Sequence, residues 1–330
     1  MEKFSQKILL LNGWRRFGVA VVSGAATSFM VAPFHLFFIA FLTFPVLVWL
    51  LDGATGQSNA RRLGRLMPAF WIGWAFGFGY FVGGLWWIAN ALLVEAPEFA
   101  WAIPLAVLGL PAFLAIFYGF ACLLARAIWS DSLARIFVLA AAFGFAEWLR
   151  SFVVTGFPWN AVAYGIMPTP IMMQSVAFTG FDAMNVLAVL VFALPSVMLT
   201  AGRRRNGAVL LLVGLMSVHL GLGYWRLNIV PEPTPDGRII RVVQPSVDQS
   251  EKWRPELAKE NFDLLLALSS AEPIGESTAR PQLIVLAGNC RALYFNARAR
   301  RGCCYRGHAA NWTKPYRRCC SRRAITRRQF

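Results

Sequence analysis

Glu147 and Arg150 stand inside an apolar run, where charged side chains need a reason to exist. A carboxylate in such a run is a functional suspect, because lipid cannot solvate its charge. The i,i+3 spacing places the two on one helical face, one turn apart, so the expected arrangement is an ion pair near the end of the run. His219 and Asp182 also interrupt apolar stretches and read as helix-packing or interfacial polar groups rather than members of a proton relay. Phe157-Pro158-Trp159 follows the Glu147 run. Aromatic residues there either belt a membrane interface or line an entrance for lipid. Cys303-Cys304 and Cys319-Cys320, with His308, invite a zinc reading. Structural zinc pairs space their ligands by roughly two to four residues, so adjacent cysteines fit poorly and no metal is expected.

The elements that must position these residues are set by composition. Of 330 residues, 57% are hydrophobic and 15% charged, with a mean hydropathy of +0.53. A soluble globular chain has roughly 45–50% apolar and about 25% charged residues. The excess lies in residues 15–225 and predicts a polytopic α-helical membrane domain. Seven spans are expected, at about 15–32, 34–51, 66–94, 100–129, 133–153, 172–201 and 207–225. The longest must tilt, kink or protrude. Pro104 and Pro111 predict a kink in the fourth, while Pro33 and Pro68 lie at or near span starts. The first apolar stretch continues to Met30 without a cleavage site, so it is expected to remain as an anchor.

The connections alternate in charge. The N-terminus holds Lys3, Lys7, Arg15 and Arg16. Arg61, Arg62 and Arg65 lie in the third segment, Arg126 and Arg135 in the fifth, and Arg203, Arg204 and Arg205 in the seventh. The intervening segments have no Lys or Arg. Basic residues mark the cytoplasmic side, which puts the N-terminus inside and everything after residue 225 outside. Cys122 lies in a span, and a disulfide framework is unsupported.

Beyond the membrane part, residues 231–237 form a proline-rich linker. Residues 238–244 read as a β-branched strand, 256–269 as an amphipathic helix and 282–286 as a buried-type strand. Strand, helix, strand opens an α/β domain. Residues 238–286 are too few to bury an independent core of that type.

Two stretches carry a family resemblance. Glu147-Trp-Leu-Arg150 with Thr155-Gly-Phe-Pro-Trp-Asn160 is similar to the E-W-L-R…T-G-F-P-W stretch of the bacterial apolipoprotein N-acyltransferases. Val242-Val-Gln-Pro-Ser-Val-Asp-Gln-Ser-Glu-Lys-Trp253 resembles their V-V-Q-x-x-x-x-Q-x-x-K-W segment. The resemblance covers about residues 1–286. It implies a multi-pass protein of the bacterial inner membrane with a periplasmic nitrilase-like (CN hydrolase) domain and an eighth span after it. It implies a Glu-Lys-Cys triad: Glu as base on a Cys thiol, the thiolate taking an acyl chain from a phospholipid, and Lys stabilising the oxyanion. The free α-amine of a diacylglyceryl-cysteine, on a diacylated apolipoprotein, then attacks the thioester. No cofactor is implied. The resemblance places Trp253 near the active site against lipid. Gln244, Gln249 and Lys252 are candidates for substrate binding, with loop hydrogen bonding as the plainer role.

The resemblance breaks at residue 287. The family's Glu lies in a Leu-Ile-Val-Trp-Pro-Glu-Thr-Ala-type run, whereas this chain reads Leu283-Ile-Val-Leu-Ala-Gly-Asn-Cys290. Residues 287–330 hold 11 Arg, one Lys, five of the six Cys and no acidic residue. One permitted choice of codons for Leu286 to Cys290, TTG GCC GGA AAC TGC, would give Trp-Pro-Glu-Thr-Ala if read one base later. The expectation is therefore a transmembrane domain at 1–230, the start of a nitrilase-like domain at 231–286, and a disordered, non-native, frame-shifted basic tail at 287–330. Gly288 would occupy the Glu position, Lys314 and the tail cysteines would not replace the rest of the triad, and this copy would be inactive. The pI near 10.4 comes mostly from that tail and does not argue for nucleic acid. The competing reading is a multi-span transporter with a short periplasmic appendage. That class favours internal repeats and buried ionisable groups, and here there is no evident repeat and Glu147 is the one candidate charge.

Overall fold

The computed structural model describes residues 2–54, 61–94, 96–198, 203–231, 239–248, 251–252, 254–271 and 281–286. The chain divides into one unit ending at Thr234 and another beginning at Pro235.

The first unit is helical throughout. Its helices are α1 (Glu2–Leu9), α2 (Gly13–Thr27), α3 (Ala40–Asp52), α4 (Arg62–Leu85), α5 (Ala89–Leu93), α6 (Ala96–Phe99), α7 (Leu110–Ala127), α8 (Ala134–Arg150), α9 (Pro170–Met173), α10 (Val176–Ala193), α11 (Pro195–Met198) and α12 (Arg203–Asn228). Long apolar runs become helices because a helix satisfies its backbone polar groups internally. Among the described residues, four helical stretches are long and apolar enough to cross a membrane: Leu63–Leu93, Ala96–Ala127, Val176–Met198 and Arg204–Asn228. The stretch Phe37–Asp52 is apolar but shorter. Helices α2 and α8 occupy the expected first and fifth spans with 15 and 17 residues. A bilayer core takes about 20.

Proline shapes two of these stretches. A π-helical turn, Leu105–Gly109, follows Pro104, which is where the kink was expected, whereas Pro111 sits harmlessly in the first turn of α7. Pro68 lies inside α4 rather than at its start, because the helix begins at Arg62, four residues ahead of the expected boundary.

Helix α4 packs between α2 and α7, and α10 packs on α8 and α3. The α2–α4 contact is made backbone to backbone. A Cβ on Gly24 would overlap the carbonyl of Phe76, and one on Gly79 would overlap the carbonyl of Val21. Such close approach lets dispersion hold helices together where lipid supplies no hydrophobic drive. Aromatic side chains fill the interior. Phe44 is fully buried and meets Phe76, Phe192 and Phe143 at ring-centroid distances of 5.6, 5.8 and 6.2 Å. Large apolar side chains such as Leu42, Trp71, Phe120, Phe145 and Leu210 point outward. That inverts a soluble surface and suits contact with hydrocarbon.

In the second unit, β1 (Ile240–Val243) pairs parallel with β2 (Leu283–Leu286), with Ile240 opposite Leu283 and Val243 opposite Leu286. A 3₁₀ turn at Pro255–Leu257 leads into α13 (Ala258–Ser270), which connects the strands. This is the expected strand–helix–strand order, and a helical crossover is what parallel strands require. Arg241 Nη1 donates to the carbonyls of Ser269 (2.7 Å) and Ala271 (2.6 Å), satisfying the end of α13. Val243 and Leu265 are the buried apolar side chains among the described residues of this unit, while Ile240 and Val242 are exposed. The expected tail, 287–330, lies outside the described residues.

Candidate functional site

The C-terminal turn of α8 carries the expected ion pair, and it is more deeply enclosed than an interfacial pair. Arg150 Nη2 donates to Glu147 Oε2, and both side chains are about 1% exposed. Tyr118 Oη, on α7, donates to the other carboxylate oxygen at 2.6 Å. The guanidinium carbon stands 5.1 Å from the centre of the Phe81 ring on α4. A buried charge is tolerable only when paired and hydrogen-bonded, and three helices contribute to that here.

Arg150 has a second task. Its Nη1 donates to the carbonyls of Phe157 (2.5 Å) and Trp159 (2.8 Å). The Phe157 amide returns a bond to the Arg150 carbonyl at 3.0 Å. The residues singled out after α8 are thus tied to the helix bundle by main-chain contacts. The segment reaches that position through left-handed backbone at Val154 (φ 53°), Gly156 (φ 80°) and Asn160 (φ 52°). Val154 is the unusual member, since a β-branched residue rarely adopts positive φ. A Cβ at Gly156 would strike the Ser151 carbonyl.

The tie turns side chains outward. Trp159 is 57% exposed and meets Trp87 edge to face at 5.9 Å. Trp86 and Trp87, beyond α4, are also exposed. Pro158 is exposed, and Phe157 is half-buried against the core. Trp side chains suit a boundary between hydrocarbon and water. Asn160 lies so close to Gly84 that any Cβ there would overlap its amide.

Two more polar groups fix the rest of this connection. Asn185 Oδ1 accepts from the Ala163 amide at 2.9 Å. His219 is buried, with Nε2 donating to the Ile166 carbonyl (3.1 Å) and Nδ1 accepting from Ser175 Oγ (2.8 Å). The carbonyl can only accept, which sets the tautomer. His219 is therefore the packing residue the sequence suggested. Asp182 is exposed.

The structure brings Glu147, Arg150, Phe157 and Trp159 together. The second set of candidates lies in the other unit. Gln244 is exposed just after β1. Lys252 is half-buried in a turn whose amides, from Glu251 and Lys252, donate to the Asp248 carbonyl at 3.1 and 3.0 Å. Gln249, Trp253 and Gly288 lie outside the described residues. Tyr118, Trp87, Asn160 and Asn185 were not foreseen. A hydroxyl or amide inside an apolar run was the available signal.

A bundle of apolar helices with an internally neutralised ion pair, leading into a parallel strand–helix–strand unit, defines a helical membrane protein with an α/β appendage. Residues 23–194 match the family model described as the apolipoprotein N-acyltransferase N-terminal domain. That stretch contains Tyr118, Glu147, Arg150 and the 157–160 segment. The chain belongs to the apolipoprotein N-acyltransferase family. It is 50% identical over 286 residues to the apolipoprotein N-acyltransferase of Agrobacterium fabrum, a match covering 86% of this chain and 54% of that protein. For the Brucella suis protein of the same name the identity is 49% over 287 residues, covering 86% and 54%. For that of Allorhizobium ampelinum it is 51% over 289 residues, covering 86% and 53%. The chain spans about half the length of these relatives. Nothing in the matches favours a transporter.

Proposed function

We propose that this chain supplies the membrane part, and the opening of the nitrilase-like part, of an enzyme that moves an acyl chain from a phospholipid to the N-terminal amine of diacylglyceryl-cysteine on a lipoprotein. The acyl group would pass through a Cys thioester. The observation that carries this reading is the Arg150 clamp, which holds Phe157-Pro158-Trp159 at the membrane boundary with Trp159 turned outward beside Trp87. In this role the three residues flank the entrance through which donor and acceptor lipids reach the site. Gln244, Gln249, Lys252 and Trp253 are proposed as further substrate-binding residues.

The chain crosses the bacterial inner membrane seven times with its N-terminus in the cytoplasm and residues after 225 in the periplasm. The alternation of basic and uncharged connections supports this. Helices α2, α3 and α8 would then cross by borrowing length from flanking turns, such as Ser28–Met30 and Phe37–Ile39. Reporter fusions after residues 96, 131, 168 and 230 should read outside, inside, outside and outside, two spans separating the last pair. A cytoplasmic signal at 230 would reject the orientation.

As written, the chain is inactive. Residues 287–330 are an out-of-phase reading of a gene whose proper frame continues Leu-Ile-Val into Trp-Pro-Glu, and Gly288 stands where the general base belongs. The sharp change of composition at 287 supports this. The direct test is N-acylation of a diacylated lipoprotein in membranes depleted of the resident activity. This polypeptide should give no product, and the gene read one base later from Leu286 should give product. Activity from the chain as written, or codons that cannot yield Trp-Pro-Glu, would overturn the reading.

A further inference from the structure

The opposite end of the bundle holds a cavity that the acyl-transfer reading leaves unused. It measures about 650 Å³, within the roughly 300–1,000 Å³ typical of ligand pockets. Its walls include Trp49 and Asp52 from α3, Arg126 from α7, Trp129, Arg135 from α8 and Arg204 from α12. Residues far apart in sequence thus converge on one space.

The charges in this wall do not cancel. Three arginines face two carboxylates, those of Asp52 and Asp131. Asp52 Oδ1 accepts from both Arg135 Nη1 (3.1 Å) and Trp129 Nε1 (2.8 Å). Arg204 Nη1 reaches the backbone carbonyl of Asp131 at 2.8 Å, and Arg126 Nε reaches that of Ala54 at 3.3 Å. The terminal nitrogens of Arg126 remain without a hydrogen-bond partner among the described residues. Arg135 Nε is also without a partner, but like Arg150 Nε it is closed off from open space. An oxyanion in the cavity would instead meet the terminal nitrogens of the arginines that line it.

We infer that this cavity binds the phosphate of an anionic phospholipid headgroup. Arginine forks match phosphate oxygens, and Trp49 and Trp129 offer apolar faces to the glycerol and first methylenes. The inference rests on the membrane reading above, which places this end among the basic connections, where anionic lipid concentrates. It is independent of acyl transfer.

The test uses the full chain purified in a mild neutral detergent and analysed by native mass spectrometry after adding phosphatidylglycerol, phosphatidylcholine or inorganic phosphate. Phosphatidylglycerol should be retained in preference to phosphatidylcholine. R204Q touches an exposed side chain that holds a single backbone carbonyl, so the fold should survive. It should weaken phosphatidylglycerol retention about 5-fold, and R126Q/R204Q about 25-fold, at ~1 kcal/mol per basic group. R205Q removes the same charge from the neighbouring position, which does not line the cavity, and should change retention less than about twofold on the same scale. Inorganic phosphate displacing phosphatidylglycerol would support the anion site and make free phosphate a second occupant. Equal retention of the two lipids, or equal losses in R204Q and R205Q, would overturn the proposal. Detergent removes any dependence on orientation, so failure here leaves the topology standing, and a reversed topology leaves this site standing.

Discussion

Among the described residues, each end of the helical unit has one carboxylate–arginine pair, and the two are built differently. At one end Glu147 and Arg150 lie on the same helix, both sealed from solvent, with Tyr118 and two loop carbonyls taking up further capacity. At the other, Asp52 and Arg135 join two helices across 3.1 Å, at 14% and 11% side-chain exposure, beside an open cavity. Each arginine keeps a buried Nε without a partner, so the difference lies in the surroundings. A sealed pair that also grips a loop is a fastener, whereas a pair beside open space can take part in the binding proposed above. The same two residue types therefore do different work according to what surrounds them.

The contrast can be broken by removing one partner at each end and comparing thermal unfolding in detergent. The largest effect is expected for Arg150→Ala, which strands the Glu147 carboxylate and frees the 157–159 segment, with a loss of about 3–5 kcal/mol. The double replacement Glu147→Leu with Arg150→Met should recover much of that loss, because no uncompensated charge remains. Tyr118→Phe removes one bond to a charged acceptor and should cost about 1.5–3 kcal/mol. Arg135→Ala should cost less, about 1–2 kcal/mol, because Trp129 still serves Asp52 and water can enter the cavity. Equal losses for Arg150→Ala and Arg135→Ala would erase the distinction. Trp159→Ala should give the smallest change, about 0.5 kcal/mol, from the lost ring contact with Trp87.

Much of the fastener was legible in the sequence. The i,i+3 spacing of Glu147 and Arg150 announced the pair, and the aromatic run after it announced the boundary segment. What joins them was not legible. Arg150 grips backbone carbonyls, which carry no residue signature, and Tyr118 arrives from a helix 29 residues upstream. Hydrophobic runs say that helices exist but not which ones are neighbours. The reciprocal fit of Gly24 and Gly79 is likewise invisible until α2 and α4 are set side by side. Element starts were the weakest expectation: α4 begins at Arg62 and α12 at Arg203, in basic segments that hydropathy assigns to the connections. In the second unit the order strand–helix–strand followed from apolar pattern, whereas the parallel register depends on pairing across about 40 residues.

In the 157–159 segment Arg150 holds peptide groups, not side chains, and this has a consequence for variation. A clip that reads only carbonyl oxygens is blind to the identity of the residues it secures. Position 159, whose side chain is exposed, can thus be re-decorated with smaller or more polar groups while the strap stays buckled. If the segment has the proposed role at a lipid entrance, a lineage could retune what enters one substitution at a time, without rebuilding the frame around it.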